Sequence, residues 1–272
     1  MLNSILPFSP EVAKEVSEYC LKYTNGVPQM MEEVWSYTAK SFKDADKMSS
    51  PIQGSWMIFL AQDRKPRRIL EIGTYSGYSA LAWYEGTKAT QAEIITLELS
   101  PEMIAAARGI FDKYNVNDRV TLIEGPADES LKTLEGTFDL IFVDANKDGY
   151  EGYVNTILER NLLSKNGLIM CDNGVFPTFN PNLFCTSSLN KLLVFARGMT
   201  ISPEFNPTLP DSVRPYWTAC GKALRQFNNA VIEDPRVDVV MLPVFDGVSF
   251  IKLKDQQMEN GQGVTNSNGA TF

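Results

Sequence analysis

Four polar residues that follow two predicted strands have the types and spacing for metal-assisted chemistry. Asp144 and Lys147 come directly after one apolar run, and Asp172 and Asn173 come directly after the next. Because neighbouring parallel strands end at one edge of a sheet, we expect these side chains to lie together. Two carboxylates and an amide oxygen suit Mg²⁺, with Mn²⁺ or Ca²⁺ as alternatives. The competing interpretation is that these groups only cap the strand ends.

Lys147 is the candidate general base, and Asp144 is the second predicted catalytic residue. The chain contains 0 histidines, which excludes imidazole bases, catalytic triads that use histidine and zinc sites with histidine ligands. Proton transfer must therefore use Lys, Asp, Glu, Tyr or water. Nearby positive charge and partial burial are what would let Lys147 take a proton from a hydroxyl group. The alternative is an ordinary solvated lysine in a loop.

A glycine turn after the first predicted strand forms a second candidate site. Gly73 and Gly77 lack a Cβ, so the backbone can turn sharply and approach a ligand at the start of the next helix. The spacing Glu-x-Gly-x-x-x-Gly, which begins at Glu71, differs from the dinucleotide fingerprint and favours an amino-acid group over a pyrophosphate. The competing interpretation is a plain strand-to-helix turn.

Two later positions predict the rest of a nucleoside-like site. Glu98 ends the second strand, where a carboxylate can accept hydrogen bonds from both hydroxyls of a ribose. Residues 125–128, with sequence Gly-Pro-Ala-Asp, follow the third strand and can line an adenine ring through Ala127. A plain turn explains this second segment almost equally well.

The elements that position these residues alternate regularly between strand and helix. This alternation predicts an α/β fold with right-handed crossovers and a mostly parallel sheet of seven strands that ends in an antiparallel hairpin. The predicted strands are 67–72, 93–99, 119–124, 138–144, 168–171, 237–244 and 248–253. A helix is predicted over 150–163, followed by a turn at Asn166-Gly167. Such a sheet is Rossmann-like but carries one strand more than the six-stranded parallel sheet of dehydrogenases.

Three further segments complete the predicted organisation. Residues 1–62 show helical spacing and form an N-terminal helical extension, and residues 63–254 form the main domain. Within that domain, the proline-rich and aromatic insertion at 174–213 is interpreted as a substrate lid. Residues 255–272 are rich in Gln, Asn and Gly, which predicts a flexible tail.

The composition restricts the classes of partner. The formal charge of -8 disfavours nucleic acids and anionic membranes, so a small molecule is the expected ligand. The 4 cysteines are scattered without a CxxC pair, which favours reduced thiols and a cytoplasmic location. No apolar stretch reaches about 18 residues, and no basic and then apolar leader is visible, so we predict neither a membrane span nor a signal peptide.

Five segments together resemble the cation-dependent O-methyltransferases that use S-adenosylmethionine. This family is typified by caffeoyl-CoA O-methyltransferase and, more distantly, by catechol O-methyltransferase. The resemblance covers roughly residues 50–173 and 211–254. The segments that show the resemblance are 71–79, 124–127, 138–150, 171–173 and 241–247.

The resemblance implies a methyl-donor site, a cation site and a dimer. It implies that Glu71, Gly73, Ser79 and Glu98 contact S-adenosylmethionine, and that Asp144, Asp172 and Asn173 bind the cation. We expect Thr74, Tyr75, Gly77, Ala127 and Asp144 to complete the donor site. The insertion and the N-terminal helices depart from the plant enzymes, so a phenolic or other small hydroxylated metabolite is expected in place of a CoA ester. Its predicted aromatic contacts are Phe176, Phe179, Tyr216 and Trp217.

Three alternatives remain open from the sequence. The first is a methyltransferase of the same fold that works without a metal, and the second is an oxidoreductase on a related sheet. The third is a non-catalytic protein that binds S-adenosylmethionine as a partner subunit. Sensitivity to EDTA, binding of NAD(P) and turnover of a catechol separate the three.

Overall fold

The computed structural model describes residues 10–172, 212, 214–242, 244–245 and 247–255. Asn173, Phe176, Phe179 and nearly all of the predicted lid lie outside the described residues, as does the predicted tail beyond Asp255. Within the described part, seven strands form one sheet in the order β3-β2-β1-β4-β5-β7-β6. The strands are β1 (Arg68–Ile72), β2 (Glu93–Glu98), β3 (Val120–Glu124), β4 (Phe138–Val143), β5 (Leu163–Asp172), β6 (Val237–Leu242) and β7 (Val248–Leu253).

Strands β1 to β5 run parallel, and β7 pairs antiparallel with both β5 and β6. The order reverses between β1 and β4, because the chain moves outward to β3 and then returns to the other side of β1. A crevice forms at such a reversal, at the carboxyl ends of the strands. The predicted Rossmann-like sheet with its C-terminal hairpin is confirmed.

Helices cover both faces of the sheet. The helices are α1 (Pro10–Lys22), α2 (Gln29–Ser41), α3 (Pro51–Arg64), α4 (Tyr78–Gly86), α5 (Pro101–Tyr114), α6 (Ala127–Thr133), α7 (Tyr150–Glu159) and α8 (Arg214–Glu233). Alternate residues of each strand point to opposite faces. Leu140 and Phe142 of β4 therefore pack with α2 to α5, whereas Ile141 and Val143 pack with α6 to α8.

Helix α3 connects the predicted N-terminal extension to the main sheet. Pro51 occupies its first turn, and the Ser50 hydroxyl accepts a hydrogen bond from the backbone of Gln53, so the helix begins where the sequence predicts. Its buried face includes Gln53, Met57 and Ala61, spaced four residues apart. Ala61 packs closely against Gly86 of α4. The extension therefore belongs to the same layer as α4 and α5.

The connection between α7 and β5 differs from the prediction. Helix α7 ends at Glu159, not at residue 163, because Asn161 adopts the left-handed conformation with φ 54°. Strand β5 then begins at Leu163, five residues before the predicted start, and passes through the predicted turn at Gly167. The pairing with β4 shifts register between Phe138 and Leu140, so this end of the strand is irregular.

Two simpler expectations can also be compared with the structure. No helix among the described residues is long and apolar enough to cross a membrane. Cys20, Cys171 and Cys220 are free thiols, and Cys171 is fully buried in β5. Burial raises the pKa of Cys171 far above its usual range, which makes this thiol unreactive.

Candidate active site

The turn after β1 brings the backbone against the end of β4. Gly73 and Gly77 have φ values of 99° and 92°, in the region where residues with a Cβ are strained. A Cβ at position 73 would overlap the carbonyl oxygen of Asp144, and one at position 77 would lie 2.7 Å from Cε1 of Phe111. Glycine is therefore required at both positions, first by backbone contact and then by packing against α5.

A cavity of about 790 Å³ opens beside this turn, within the size range of small-molecule sites. Its lining combines the segment between α2 and α3, the glycine turn, the ends of β2, β3 and β4, and the start of α8. The predicted residues that line it are Gly73, Thr74, Tyr75, Ser79, Glu98, Ala127, Asp144, Lys147, Tyr216 and Trp217. Three predicted residues that the structure describes, Glu71, Gly77 and Asp172, are not part of the lining.

The Glu98 carboxylate is held by four backbone N–H groups at the mouth of the turn. Thr74 and Tyr75 donate to Oε2 at 3.1 and 2.8 Å, and Leu99 and Ser100 donate to Oε1 at 2.9 and 2.8 Å. Charge-assisted hydrogen bonds of this kind are stronger than neutral ones. They join the loops after β1 and β2 and fix the direction in which the carboxylate meets the cavity.

Glu71 is fully buried, and two threonine side chains connect it to the cavity wall. Thr96 Oγ1 donates to Glu71 Oε2 at 2.6 Å, and Thr96 Oγ1 lies 2.5 Å from the Thr74 hydroxyl that reaches the cavity wall. Because Thr96 gives its proton to Glu71, Thr74 is the donor of this second hydrogen bond. Glu71 Oε1 has no hydrogen-bond partner among the described residues. Burial, aided by the negative charge of Asp144, raises the pKa of Glu71 to about 7.

Asp144 and Asp172 stand side by side at the ends of β4 and β5. The register pairs Val143 with Cys171, so the next residue on each strand is one of the two acids. Lys147 Nζ connects these ends, because it donates to Asp144 Oδ1 at 2.9 Å and to the main-chain oxygen of Asp172 at 3.2 Å. The predicted convergence of the acids and the lysine is therefore observed.

Tyr150, which the sequence analysis did not single out, is a hydrogen-bond partner of Lys147. Burial raises the pKa of Tyr150 well above its usual range, so the phenol keeps its proton. Its hydroxyl donates to the Asp172 main-chain oxygen at 2.6 Å, which leaves the phenol oxygen to accept from Lys147 Nζ at 2.6 Å. Lys147 is only 7% exposed. Three acceptors thus surround its ammonium group.

Gln53 of α3 is a second site residue that the sequence analysis missed. Its Nε2 donates to Asp172 Oδ2 at 2.8 Å, and both side chains are buried. The signal that could have found it is a polar residue at position 53 in the series 53, 57 and 61, which otherwise carries the apolar face of the helix.

The N-terminal extension also contacts the glycine turn at two points. The hydroxyl of Thr38 donates to Ser76 Oγ at 2.9 Å, and the hydroxyl of Tyr75 donates to Asp44 Oδ1 at 2.9 Å. Asp44 lines the cavity. No local pattern in the sequence links these positions to the turn, because the partners are more than 30 residues apart.

The chemistry of the acidic pair suits a hard cation, although the predicted ligand set is only partly described. Asp144 and Asp172 supply two carboxylates on adjacent strand ends, and Asn173 lies outside the described residues. Among the residues that the structure describes, no three acidic, cysteine or histidine side chains gather into a metal-binding group. Two carboxylates with an amide oxygen would match the oxygen ligands that Mg²⁺ takes. The cation stays a prediction.

Comparison with known proteins identifies the family. The family model described as O-methyltransferase matches residues 22–180, which is more than half of the chain. The chain belongs to the O-methyltransferase family. Its predicted class, an enzyme that transfers a methyl group from S-adenosylmethionine to oxygen, is confirmed. Family membership favours this class over the oxidoreductase and non-catalytic alternatives.

Three relatives show how far the similarity of this O-methyltransferase extends. The O-methyltransferase ankF of Aspergillus thermomutatus is 38% identical over 94% of the chain and 100% of its own length. Caffeoyl-CoA O-methyltransferase 1 of Eucalyptus globulus is 28% identical over 92% of the chain and 85% of its own length. The methyltransferase PaMTH1 of Podospora anserina, whose crystal structure contains bound S-adenosylhomocysteine (SAH), is 61% identical in sequence. The match covers 93% of this chain and 100% of that chain, with a TM-score of 0.82.

Proposed function

We propose that this O-methyltransferase methylates one hydroxyl of a small phenolic or catechol-like metabolite with the help of a divalent cation. The observation that carries the proposal is the pair of acids, Asp144 and Asp172, on adjacent strand ends, with Asp144 in the cavity wall. Lys147 lies between these strand ends. A donor cavity, two hard anionic ligands and a candidate base are thus within one small region.

The cavity beside the glycine turn is the proposed site for S-adenosylmethionine. Glu98 is oriented by backbone amides, and a carboxylate in this place accepts hydrogen bonds from the two ribose hydroxyls. Ala127 lines the part of the cavity assigned to the adenine, and Ser79 lines the part next to the turn. The SAH bound to PaMTH1 supports this assignment.

Asp144, Asp172 and Asn173 are the residues proposed to hold the cation. A divalent cation bound there would polarise adjacent hydroxyls of the acceptor and stabilise an oxyanion. Mg²⁺ is the preferred choice, with Mn²⁺ and Ca²⁺ as alternatives, because all three ligands are oxygens. The neutral amide of Gln53 holds the Asp172 side chain without cancelling its charge.

The transfer step needs in-line geometry and a place for one proton. The acceptor oxygen forms a bond to the methyl carbon while the carbon–sulfur bond breaks, and the electron pair of that bond stays on sulfur. Lys147 Nζ is the proposed acceptor of the hydroxyl proton. An ammonium group paired with Asp144 cannot accept a proton, so Lys147 must first release one proton to solvent through the cavity that it lines. The neutral amine then keeps two N–H groups for Tyr150 and the Asp172 main-chain oxygen, and its lone pair takes the hydroxyl proton.

Aromatic side chains at the start of α8 are proposed to hold the acceptor ring. Tyr216 and Trp217 both line the cavity, and their rings meet edge to face with centroids 5.0 Å apart. Such walls suit a planar phenolic ring. The other two proposed contacts, Phe176 and Phe179, lie outside the described residues.

A metal-independent reaction is the second candidate. The ion pair between Lys147 and Asp144 favours it, because a protein cation already neutralises one of the two carboxylates. In that case Lys147 would orient and deprotonate the acceptor without a cation, and it would first have to release its own proton here as well. The two candidates differ in a single observable, which is the effect of a chelator on turnover.

A homodimer and a cytoplasmic location remain proposals that rest on the family resemblance and the cysteine pattern. Light scattering at micromolar concentration measures the mass directly. A mass of one chain, against the 30.4 kDa of the sequence, would contradict the dimer.

The test of the proposed function combines donor binding with turnover. S-adenosylmethionine is titrated into the protein by calorimetry with and without Mg²⁺, and SAH release is then followed on a panel of catechols. Micromolar donor binding with turnover that EDTA abolishes and Mg²⁺ restores is the expected result. Turnover that is insensitive to EDTA would favour the metal-independent candidate, and absence of donor binding would contradict the assignment of the cavity.

A further inference from the structure

Gln53 belongs to the predicted N-terminal extension, and its side chain contacts Asp172 of the acidic pair. It lies on α3, 119 positions before Asp172 in the sequence, and its Nε2 donates to Asp172 Oδ2 at 2.8 Å. The side chains of Gln53 and Asp172 are 3% and 4% exposed. A buried polar pair of this kind is costly to break, because the carboxylate would lose a donor that water cannot easily replace.

The identity of this donor affects the charge of the site. An amide is neutral, so Gln53 fixes the rotation of the carboxylate about its Cβ–Cγ bond and leaves its negative charge in place. Asp144 differs, because its side chain pairs with the ammonium group of Lys147. Asp172 thus has a neutral amide among its partners, and Asp144 has a cation.

We propose that Gln53 is a positioning residue for a divalent cation, acting through the orientation of the Asp172 carboxylate. The inference rests on the proposed cation site and adds to it a residue of the N-terminal extension. Partners that orient ligands commonly change cation affinity by 10- to 100-fold when they are removed. The extension would thereby contribute to the chemistry of a site that the main sheet presents.

The test measures cation binding directly, without turnover. Mn²⁺ is titrated into the full-length protein in the presence of SAH, and free Mn²⁺ is followed by its electron paramagnetic resonance signal. Gln53→Met keeps the length of the side chain and removes the donor, and Gln53→Asn keeps the amide but shortens its reach. Gln62→Met is the matched control, because Gln62 is an exposed residue of the same helix. SAH affinity, measured by calorimetry without Mn²⁺, reports whether each variant is folded.

We expect both Gln53 variants to bind Mn²⁺ about 10- to 100-fold more weakly than the wild type, with SAH affinity retained. Gln62→Met should match the wild type. Wild-type affinity for Mn²⁺ in either folded Gln53 variant would overturn the role of Gln53 while leaving the cation site intact. A wild-type protein that binds SAH but no Mn²⁺ would overturn the cation site, and the role of Gln53 with it.

Discussion

The ammonium group of Lys147 donates to the Asp144 carboxylate at 2.9 Å, and the two side chains are only 6% and 17% exposed. In such a buried pair, removal of either partner leaves the other charge without its counterpart. The pair lies at the edge of the cavity, next to the end of β5. Substitutions in this region therefore need controls that separate catalysis from folding.

Asp172→Asn should abolish most of the metal-assisted turnover while leaving donor binding unchanged. The amide keeps the shape of the carboxylate but lacks its charge, and Asp172 lies outside the cavity lining. We expect kcat to fall about 100-fold or more, because stabilisation by a bound cation is worth several kcal/mol. Asp148→Asn is the control, since Asp148 is an exposed acid in the neighbouring loop. Equal turnover of Asp172→Asn and wild type would contradict a role for this carboxylate.

Lys147→Met should lower kcat by about 10² to 10⁴, the usual contribution of a general base. SAH affinity, measured by calorimetry, should change little because the substitution keeps most of the side-chain volume. Lys165→Met, an exposed lysine at the other end of β5, provides the comparison. A drop in kcat below about threefold would remove Lys147 from the proton transfer.

Glu98→Gln should weaken SAH binding roughly 10- to 100-fold, since a hydrogen bond to a charged group is worth about 1.5–3 kcal/mol. In the variant, an NH₂ group replaces one carboxylate oxygen. This group then faces backbone N–H groups that donate to the carboxylate in the wild-type protein. Calorimetric titration measures the loss, and Glu135→Gln tests an exposed acid far from the cavity. Unchanged affinity would mean that Glu98 organises the loops without contacting the donor.

The buried Glu71 carboxyl should make stability depend on pH. Burial raises its pKa from 4.5 to about 7, so the folded protein holds this proton more tightly than the unfolded chain does. Its contribution to the free energy of unfolding is complete below about pH 4.5 and is lost as the pH rises through about 7. Relative to wild type, Glu71→Gln should gain up to about 3 kcal/mol between pH 4 and pH 8.

Urea unfolding of both proteins at several pH values measures this difference. Thr96→Val removes the hydroxyl that donates to Glu71 and serves as a comparison, because it leaves the carboxyl group in place. A constant difference between Glu71→Gln and wild type across this range would show that Glu71 does not titrate as its burial predicts.

Most of the sheet could be predicted because each strand is a short apolar run that a turn or a capped helix follows. Strand β5 is the exception, since its first part contains Ser164, Lys165 and Asn166 and has no apolar alternation. Pairing with β4 on both sides of these polar residues, at Leu163 and at Leu168, includes them in the strand. A tertiary contact therefore overrides the local signal at this point.

The part of the site that follows the strands could also be predicted, because parallel strands bring Asp144 and Asp172 to one edge. The contributions of Gln53, Asp44 and Tyr150 could not. Packing of α3 and α7 on opposite faces of the sheet brings Gln53 and Tyr150 to Asp172. Asp44 meets the glycine turn instead, through Tyr75.

The most direct test of cation-assisted methylation is a crystal structure with SAH, a catechol and Mn²⁺, in which anomalous scattering locates the metal. We predict a single Mn²⁺ site bonded to carboxylate oxygens of Asp144 and Asp172 at about 2.2 Å, with a catechol oxygen in contact with the metal. A catechol bound beside SAH with no Mn²⁺ at these two carboxylates, together with turnover in EDTA, would contradict it.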